Sequence, residues 1–324
     1  MQKILAVLVL SCLTLAARQR TSRPEVWAFT GPWDPASAAS LRANAALLDV
    51  AITGWIGLDS STAQPLLPSP FPDTIRLSKE MPRRMAIVTS WHGDKFHPNT
   101  IRRLARDEAK LARIAGAIAA HAAAQRYAGL VLDFEALERD DVRSLLRVVK
   151  AITDSAHARK ISAVAVAIPA TDTAAYPGRA IAGVADFVMP MLYDQHWSTS
   201  KPGPISEPSW VRSSLATRIK EVGAERIVAA LPVYGYRWRT GAAAADPVSF
   251  TDARRAADQA GVTLARDTRT STLRAVHAGE WEIWVTDAEL FGTLVRQTTD
   301  AGVRRIAMWR IGQEDPASWR ALTR

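Results

Sequence analysis

Two acids set two residues apart, Asp133 and Glu135, close the run Tyr127-Ala128-Gly129-Leu130-Val131-Leu132-Asp133-Phe134-Glu135. The run is apolar and rich in Val and Leu, which suits a parallel strand covered on both faces. Side chains alternate along a strand, so Val131, Asp133 and Glu135 share one face and Leu130, Leu132 and Phe134 share the other. The α-carbons of the two acids are then roughly 6.6 Å apart, at about 3.3 Å per residue. Buried carboxylates are costly unless they are paired or put to use. Such a pair at the C-terminal end of a buried strand points to acid–base or charge-stabilising chemistry. The competing reading is an inert ion pair with arginines.

A strand of this kind needs neighbours. Strand-like segments occur at 25–30, 49–58, 85–90, 130–135, 161–168, 186–193, 226–234 and 305–310, with amphipathic stretches between them. The clearest amphipathic stretch, about 100–125, carries Ile101, Leu104, Leu111, Ile114 and Ile118 at helical spacing. Another follows Asp140, read as its N-cap, with Val142, Leu145, Leu146, Val149 and Ile152. Eight strands alternating with helices over 324 residues predict an α/β fold of the (β/α)8 TIM-barrel type. A doubly wound open sheet is the rival, but no glycine-rich phosphate loop follows the first strand. The stretch at about 239–280 is longer than a strand–helix connection requires and reads as a small insertion between strands seven and eight.

In a barrel the site forms where strands end. Those ends supply Trp33 and Asp34; Trp91, His92 and Asp94; Asp133 and Glu135; Tyr193, Asp194, His196 and Trp197; Tyr234, Tyr236 and Trp238; and Trp309. Five of the 11 tryptophans thus fall near one rim. An indole face offers a large apolar area with one polar handle, suited to the C–H face of a sugar ring. Carboxylates among aromatics at a barrel mouth suggest a glycan site. Each of these residues also has a packing role open to it: Tyr193 and Trp309 as core, His196 as the partner of a loop carbonyl. His92, Asp94 and His97 match no common metal-site spacing and read as a solvated loop.

The fourth strand, Ala128-Gly129-Leu130-Val131-Leu132-Asp133-Phe134-Glu135, resembles the active-site strand of glycoside hydrolase family 18, the chitinase-like barrels, with pattern Asp-Gly-x-Asp-x-Asp-x-Glu. Met191-Leu192-Tyr193-Asp194 resembles that family's sixth-strand Met-x-Tyr-Asp, and Trp309 falls at the tryptophan that floors its sugar site. Pro202-Gly203-Pro204-Ile205, Leu231-Pro232-Val233-Tyr234-Gly235-Tyr236 and Trp309-Arg310-Ile311-Gly312-Gln313-Glu314-Asp315-Pro316 resemble a bacterial branch related to spore-cortex hydrolases and envelope-polysaccharide machinery.

The resemblance implies a retaining, substrate-assisted hydrolase of glycans containing N-acetylhexosamine, most simply N-acetylglucosamine. Such enzymes depart from the usual acid and nucleophile pair. Glu135 would protonate the glycosidic oxygen while the substrate's 2-acetamido oxygen attacks the anomeric carbon. Asp133 would orient the acetamido group and balance the oxazolinium charge. Tyr193 would hydrogen-bond that group and Trp309 would stack beneath the ring. Asp194, Trp33, Trp91, His196, Trp197, Tyr234 and Trp238 complete the expected substrate contacts. Neither a metal nor an organic cofactor is called for. Ala128 and Val131 replace the first two acids of the strict pattern, so Asp133 lacks an inward neighbour and turnover is in question. The alternative is a glycan-holding barrel that turns substrate over poorly.

The chain is 48% hydrophobic and 23% charged, ordinary for a globular protein. Its net charge is +9 and its pI about 10.0. No basic run, zinc-ligand spacing or RNA-binding aromatic signature accompanies that charge, which argues against a nucleic-acid partner. A positively charged surface favouring anionic envelope material fits better. Lys3, the apolar run Ile4 to Leu10 and the small residues through Ala16 and Ala17 read as an export signal over 1–20, with the barrel in 21–324. The expected destination is the periplasm or the exterior. Cys12, the only cysteine, sits in Val9-Leu10-Ser11-Cys12, an imperfect lipoprotein site, so lipid anchoring competes with plain cleavage near Ala16 or Ala17. No later stretch is long enough to span a membrane.

Overall fold

The computed structural model describes residues 23–67 and 82–323; the leader and Cys12 lie outside the described residues. Eight parallel strands close into a barrel in chain order: Glu25–Phe29, Val50–Gly57, Arg83–Thr89, Gly129–Asp133, Ala163–Pro169, Phe187–Met191, Ala229–Pro232 and Arg305–Trp309. Each matches a strand expected from sequence within a few residues, and the (β/α)8 architecture is as predicted.

Alternation sorts the fourth strand as expected. Val131 points into the barrel with Trp27, Phe29, Ile52, Ile87 and Ala165. Leu130, Leu132 and Phe134 point outward into a layer shared with Ile114, Ile118, Val148 and Ile152 of the surrounding helices. Register places Asp133 beside Thr89 of the third strand and Ala167 of the fifth, at the last rung of the ladder.

The second strand breaks the alternation. Ile52 pairs with Met85 and Gly54 with Ala86, so Thr53 is an extra residue, a β-bulge. Beyond it the faces exchange: Trp55 turns into the barrel with Ile52, and Ile56 turns out toward the helices. Gly54 is required at this point, since a Cβ there would meet the Tyr127 ring at 2.5 Å and the Ala86 Cβ at 2.7 Å.

Two helix expectations need correction. The single helix expected over 100–125 is two, Pro98–Arg106 and Glu108–Ala124. Asp107 stops the first in an extended conformation (φ −118°, ψ 99°) and caps the second by accepting from Lys110 N at 2.9 Å. Asp140 is not an N-cap either: it lies in the short 3₁₀ turn Arg139–Asp141, and Asp141 stands at the start of helix Val142–His157. The Asp141 carboxylate takes Arg102 Nε at 2.6 Å and Glu138 N at 2.9 Å, tying this turn to the preceding helix pair.

Between the seventh and eighth barrel strands stands a five-stranded antiparallel sheet running from Gly235–Arg239 to Trp281–Val285, strands that pair with each other. Helix Phe250–Ala260 covers one face through Val248, Ala253, Ile283 and Val285. This unit encloses the stretch read as an insertion at about 239–280. Among the described residues no helix is long and apolar enough to cross a membrane.

Candidate active site

The fourth-strand ladder ends at Asp133, and Glu135 follows just past it. Asp133 is 8% exposed and Glu135 is half-buried. Thr89 Oγ1 accepts from Trp91 N at 3.0 Å, which leaves its proton to donate to Asp133 Oδ2 at 3.2 Å. The other oxygen, Asp133 Oδ1, has no hydrogen-bond partner. An unpaired buried acceptor costs about 1–3 kcal/mol. Val131, one inward position below, has no polar group to offer it.

Burial, opposed by hydrogen bonds from Thr89 and Glu135, pushes the Asp133 carboxyl up to about 6. Burial does the same to Asp194, up to about 6, against hydrogen bonds from Tyr234 and Tyr236. Glu135 is pushed well above the usual carboxylate range by burial first, then by the charges of Asp133 and Asp194. Among the described residues no cation balances these three crowded acids, and Glu135 is the one held most strongly toward its protonated form.

The sixth strand delivers Tyr193 and Asp194, the latter in the left-handed region (φ 56°). Tyr234 donates its phenol proton to Asp194 Oδ1. Burial and the surrounding carboxylates drive the Tyr193 phenol well upward, so it stays a neutral donor. Tyr193 stacks on Trp309 with ring centres 6.1 Å apart and planes 12° apart. Trp309 also meets Phe29 edge-on at 5.0 Å. These contacts bring together Asp133, Glu135, Tyr193, Asp194, Tyr234 and Trp309.

The remaining expected contacts divide. Trp33 is 47% exposed and packs on Trp55 at 4.9 Å, which lies 6.4 Å from Trp309, so an aromatic row leads from the rim to the floor. Arg310 stacks on Trp33 at 5.5 Å and pairs with Asp34 at 2.6 Å, while Asp34 also caps helix Pro35–Asn44. Trp91, 45% exposed, sits on a short hairpin against Phe96, and Trp197, 51% exposed, sits on the loop after the sixth strand.

Trp238 and His196 have other engagements. Trp238 is buried and donates its indole N–H to Ser200 O at 2.9 Å. His196 faces Lys201 O through Nδ1 at 3.0 Å and lies over Gly203. Both brace the loop that carries Trp197. His92 and His97 are likewise engaged: His92 Nδ1 accepts from Ser60 N at 3.0 Å, on the loop after the second strand, and His97 Nε2 faces His92 O at 2.9 Å. Among the described residues no group of three or more His, Cys, Asp or Glu side chains could hold a metal.

Sequence reasoning missed Trp55 as a site residue, because simple alternation assigns it outward and the bulge at Thr53 is invisible to that count. Thr89 was missed too, although its register opposite Asp133 follows once both strands are aligned at their ends.

A parallel eight-stranded barrel with adjacent acids at the end of its fourth strand and aromatic rings around them has the layout of a carbohydrate-active barrel. The sequence model of Glycosyl hydrolases family 18 matches residues 25–313, and the chain belongs to that family. The cortical fragment-lytic enzyme of Bacillus subtilis is 25% identical over 254 residues, covering 74% of this chain and 59% of that protein. The glycosylase YvbX of the same organism is 28% identical over 120 residues, 35% of either chain. The match thus spans between a third and three-fifths of the length of these two relatives. The crystal structure of the Bacillus megaterium spore cortex-lytic enzyme SleL shares the fold, with a TM-score of 0.82 at 18% identity over 93% of this chain and 74% of that one.

Proposed function

We propose that this protein is a glycoside hydrolase that cleaves β-linked N-acetylglucosamine-containing glycans with retention, the substrate's own acetamido group serving as nucleophile. The observation that carries this reading is Glu135, a half-buried carboxyl at the end of the fourth strand, held protonated by desolvation and by the neighbouring Asp133 and Asp194.

Protonated Glu135 gives its proton to the glycosidic oxygen as the bond from that oxygen to the anomeric carbon breaks. The acetamido carbonyl oxygen bonds to the anomeric carbon and forms an oxazolinium ion. Asp133 accepts the acetamido N–H as Glu135 gives up its proton, and the carboxylate offsets the positive charge. The neutral phenol of Tyr193 donates to the acetamido oxygen, and Trp309 supports the ring face. Glu135, now ionised, takes a proton from the water that attacks the anomeric carbon from the side the leaving group vacated, as the bond to the acetamido oxygen breaks.

The support is the family membership, the paired acids and the ring cluster. Relatives named for spore-cortex lysis favour peptidoglycan-derived or other envelope glycans as substrate. Export by a leader over 1–20, with lipid attachment at Cys12 as the variant outcome, belongs to the same proposal. The orphaned Asp133 oxygen beside Val131 favours a second reading, a barrel that binds glycan and turns it over slowly.

The test sets the protein from about residue 21 onward beside Glu135→Gln on N-acetylglucosamine oligomers, peptidoglycan glycans and deacetylated controls, with products resolved by mass spectrometry. Cleavage that needs the acetylated sugar and vanishes in the variant supports the hydrolase. Binding without cleavage moves the reading to the glycan-holding barrel.

A further inference from the structure

The barrel ladder stops at Asp133, so hydrogen bonding between strands does not fix the backbone that carries Glu135. A single phenol bridges that backbone instead. Tyr176 donates its hydroxyl proton to Phe134 O at 3.0 Å and accepts from Leu137 N at 3.1 Å. These two groups bracket Glu135 and Ala136, and Ala136 is held in the left-handed region (φ 58°). Tyr176 is 2% exposed and Leu137 is 5% exposed, so water has little access to take over either bond.

Tyr176 is itself held from behind. Arg218, on helix Pro208–Val222, is 0% exposed. Its guanidinium donates to Pro169 O at 2.6 Å, Ala170 O at 3.1 Å, Asp172 O at 2.9 Å and Tyr176 O at 2.9 Å, and to Glu221 at 2.8 Å. The Asp172 carboxylate winds the same loop by accepting from Ala174 N and Ala175 N at 3.0 and 2.9 Å. The loop after the fifth strand is therefore fastened at several points, and its product is the location of one hydroxyl.

We propose that Tyr176, fastened by Arg218, is the positioning residue that aims Glu135 at the glycosidic oxygen. The inference rests on the functional reading above. A general acid works only within hydrogen-bond reach of the atom it protonates, and small misplacements are expensive in rate. A rigid two-point bridge across the acid's own backbone meets that need without touching substrate. The groups facing Glu135 are Asp133 from its own strand and, from neighbouring loops, Asp194 and the phenols of Tyr193, Tyr176 and Tyr236. A loosened turn would admit water to this enclosure and ease ionisation of Glu135.

The experiment compares the unsubstituted chain with Tyr176→Phe, which keeps the ring and removes only the bridge, and with Arg218→Lys in case the first does not fold. On a cleavable N-acetylglucosamine oligomer, kcat is expected to fall about tenfold to a hundredfold with KM within about twofold. The alkaline limb of the pH profile is expected to move to lower pH. A fall in thermal midpoint with kcat and the alkaline limb unchanged would overturn the inference and leave Tyr176 a brace. Glu135 is also titrated directly by carboxyl-carbon NMR, assigned with Glu135→Gln. If the unsubstituted chain cleaves nothing, the functional reading falls. A Glu135 titration unmoved by Tyr176→Phe then overturns the positioning role as well, and a displaced one sustains it.

Discussion

The N-terminal end of the barrel and the centre of its C-terminal mouth treat carboxylates in opposite ways. At the N-terminal end Glu25 takes Arg83 at 2.6 Å, Arg305 at 3.1 Å and the Trp27 indole N–H at 3.1 Å. Asp49 takes Arg23 at 3.0 Å and Val26 N at 2.8 Å, and Asp186 takes His157 at 2.9 Å and Val164 N at 2.8 Å. At the C-terminal end Asp133, Glu135 and Asp194 are surrounded by rings and by one another, and no cation contributes to their ionisation. The same residue types close the barrel at one end and stay uncompensated at the centre of the other, whose rim still pairs Asp34 with Arg310. Charge matching is thus where the fold spends its acids on stability, and charge mismatch is where it stores reactivity.

The sharpest way to break this contrast is Glu135→Gln. Loss of the proton donor is expected to cut kcat by about 10²–10⁴ with the fold intact, read by product release and circular dichroism. Trp309→Ala comes next: losing the ring against Tyr193 and Phe29 should lower kcat/KM by about twofold to tenfold, since an aromatic contact is worth about 0.5–1.5 kcal/mol beyond its buried area.

Asp133→Asn tests the mismatch as stability. The folded Asp133 carboxyl, at about 6, lies above its ordinary value of 3.8, so the folded state binds its proton more tightly. Stability from this group is full below about pH 4 and is lost as pH rises through about 6. The variant, which cannot ionise, should therefore gain about 2 kcal/mol on the unsubstituted chain between pH 4 and pH 8, measured by denaturant titration, while activity collapses. Glu25→Gln is the mirror experiment. Its ion pairs are partly exposed, so it should cost about 1 kcal/mol or less and leave kcat unchanged. Smallest in free energy is Trp33→Ala, expected to raise KM a few-fold with no change in melting temperature, as befits a half-exposed ring on the rim.

Much of this was legible in the sequence, and what escaped did so for physical reasons. Asp133 and Glu135 could be read because apolar alternation fixes which way they point, and Tyr193 and Trp309 because strand ends converge in a closed barrel. The helix break at Asp107 was hidden because hydrophobic spacing continues on both sides of it and only the backbone turns. His196 and Trp238 sit near the mouth as expected, yet their polar atoms serve the loop through Lys201 and Ser200. Tyr176 and Arg218 gave no signal, since their meaning lies in carbonyls distant along the chain.

The extra residue in the second strand has a consequence for how this mouth can diversify. Deleting Thr53 would restore regular pairing and leave Trp55 opposite Ile87, still turned into the barrel; a regular strand that kept Thr53 in the ladder would slip by one and turn Trp55 out toward the helices. In that slipped register the indole row from Trp33 to Trp309 would lose its middle member without a single side chain being substituted. The bulge is therefore a parity device: by absorbing one residue upstream of position 55, it decides whether an aromatic or an aliphatic side chain faces the barrel mouth.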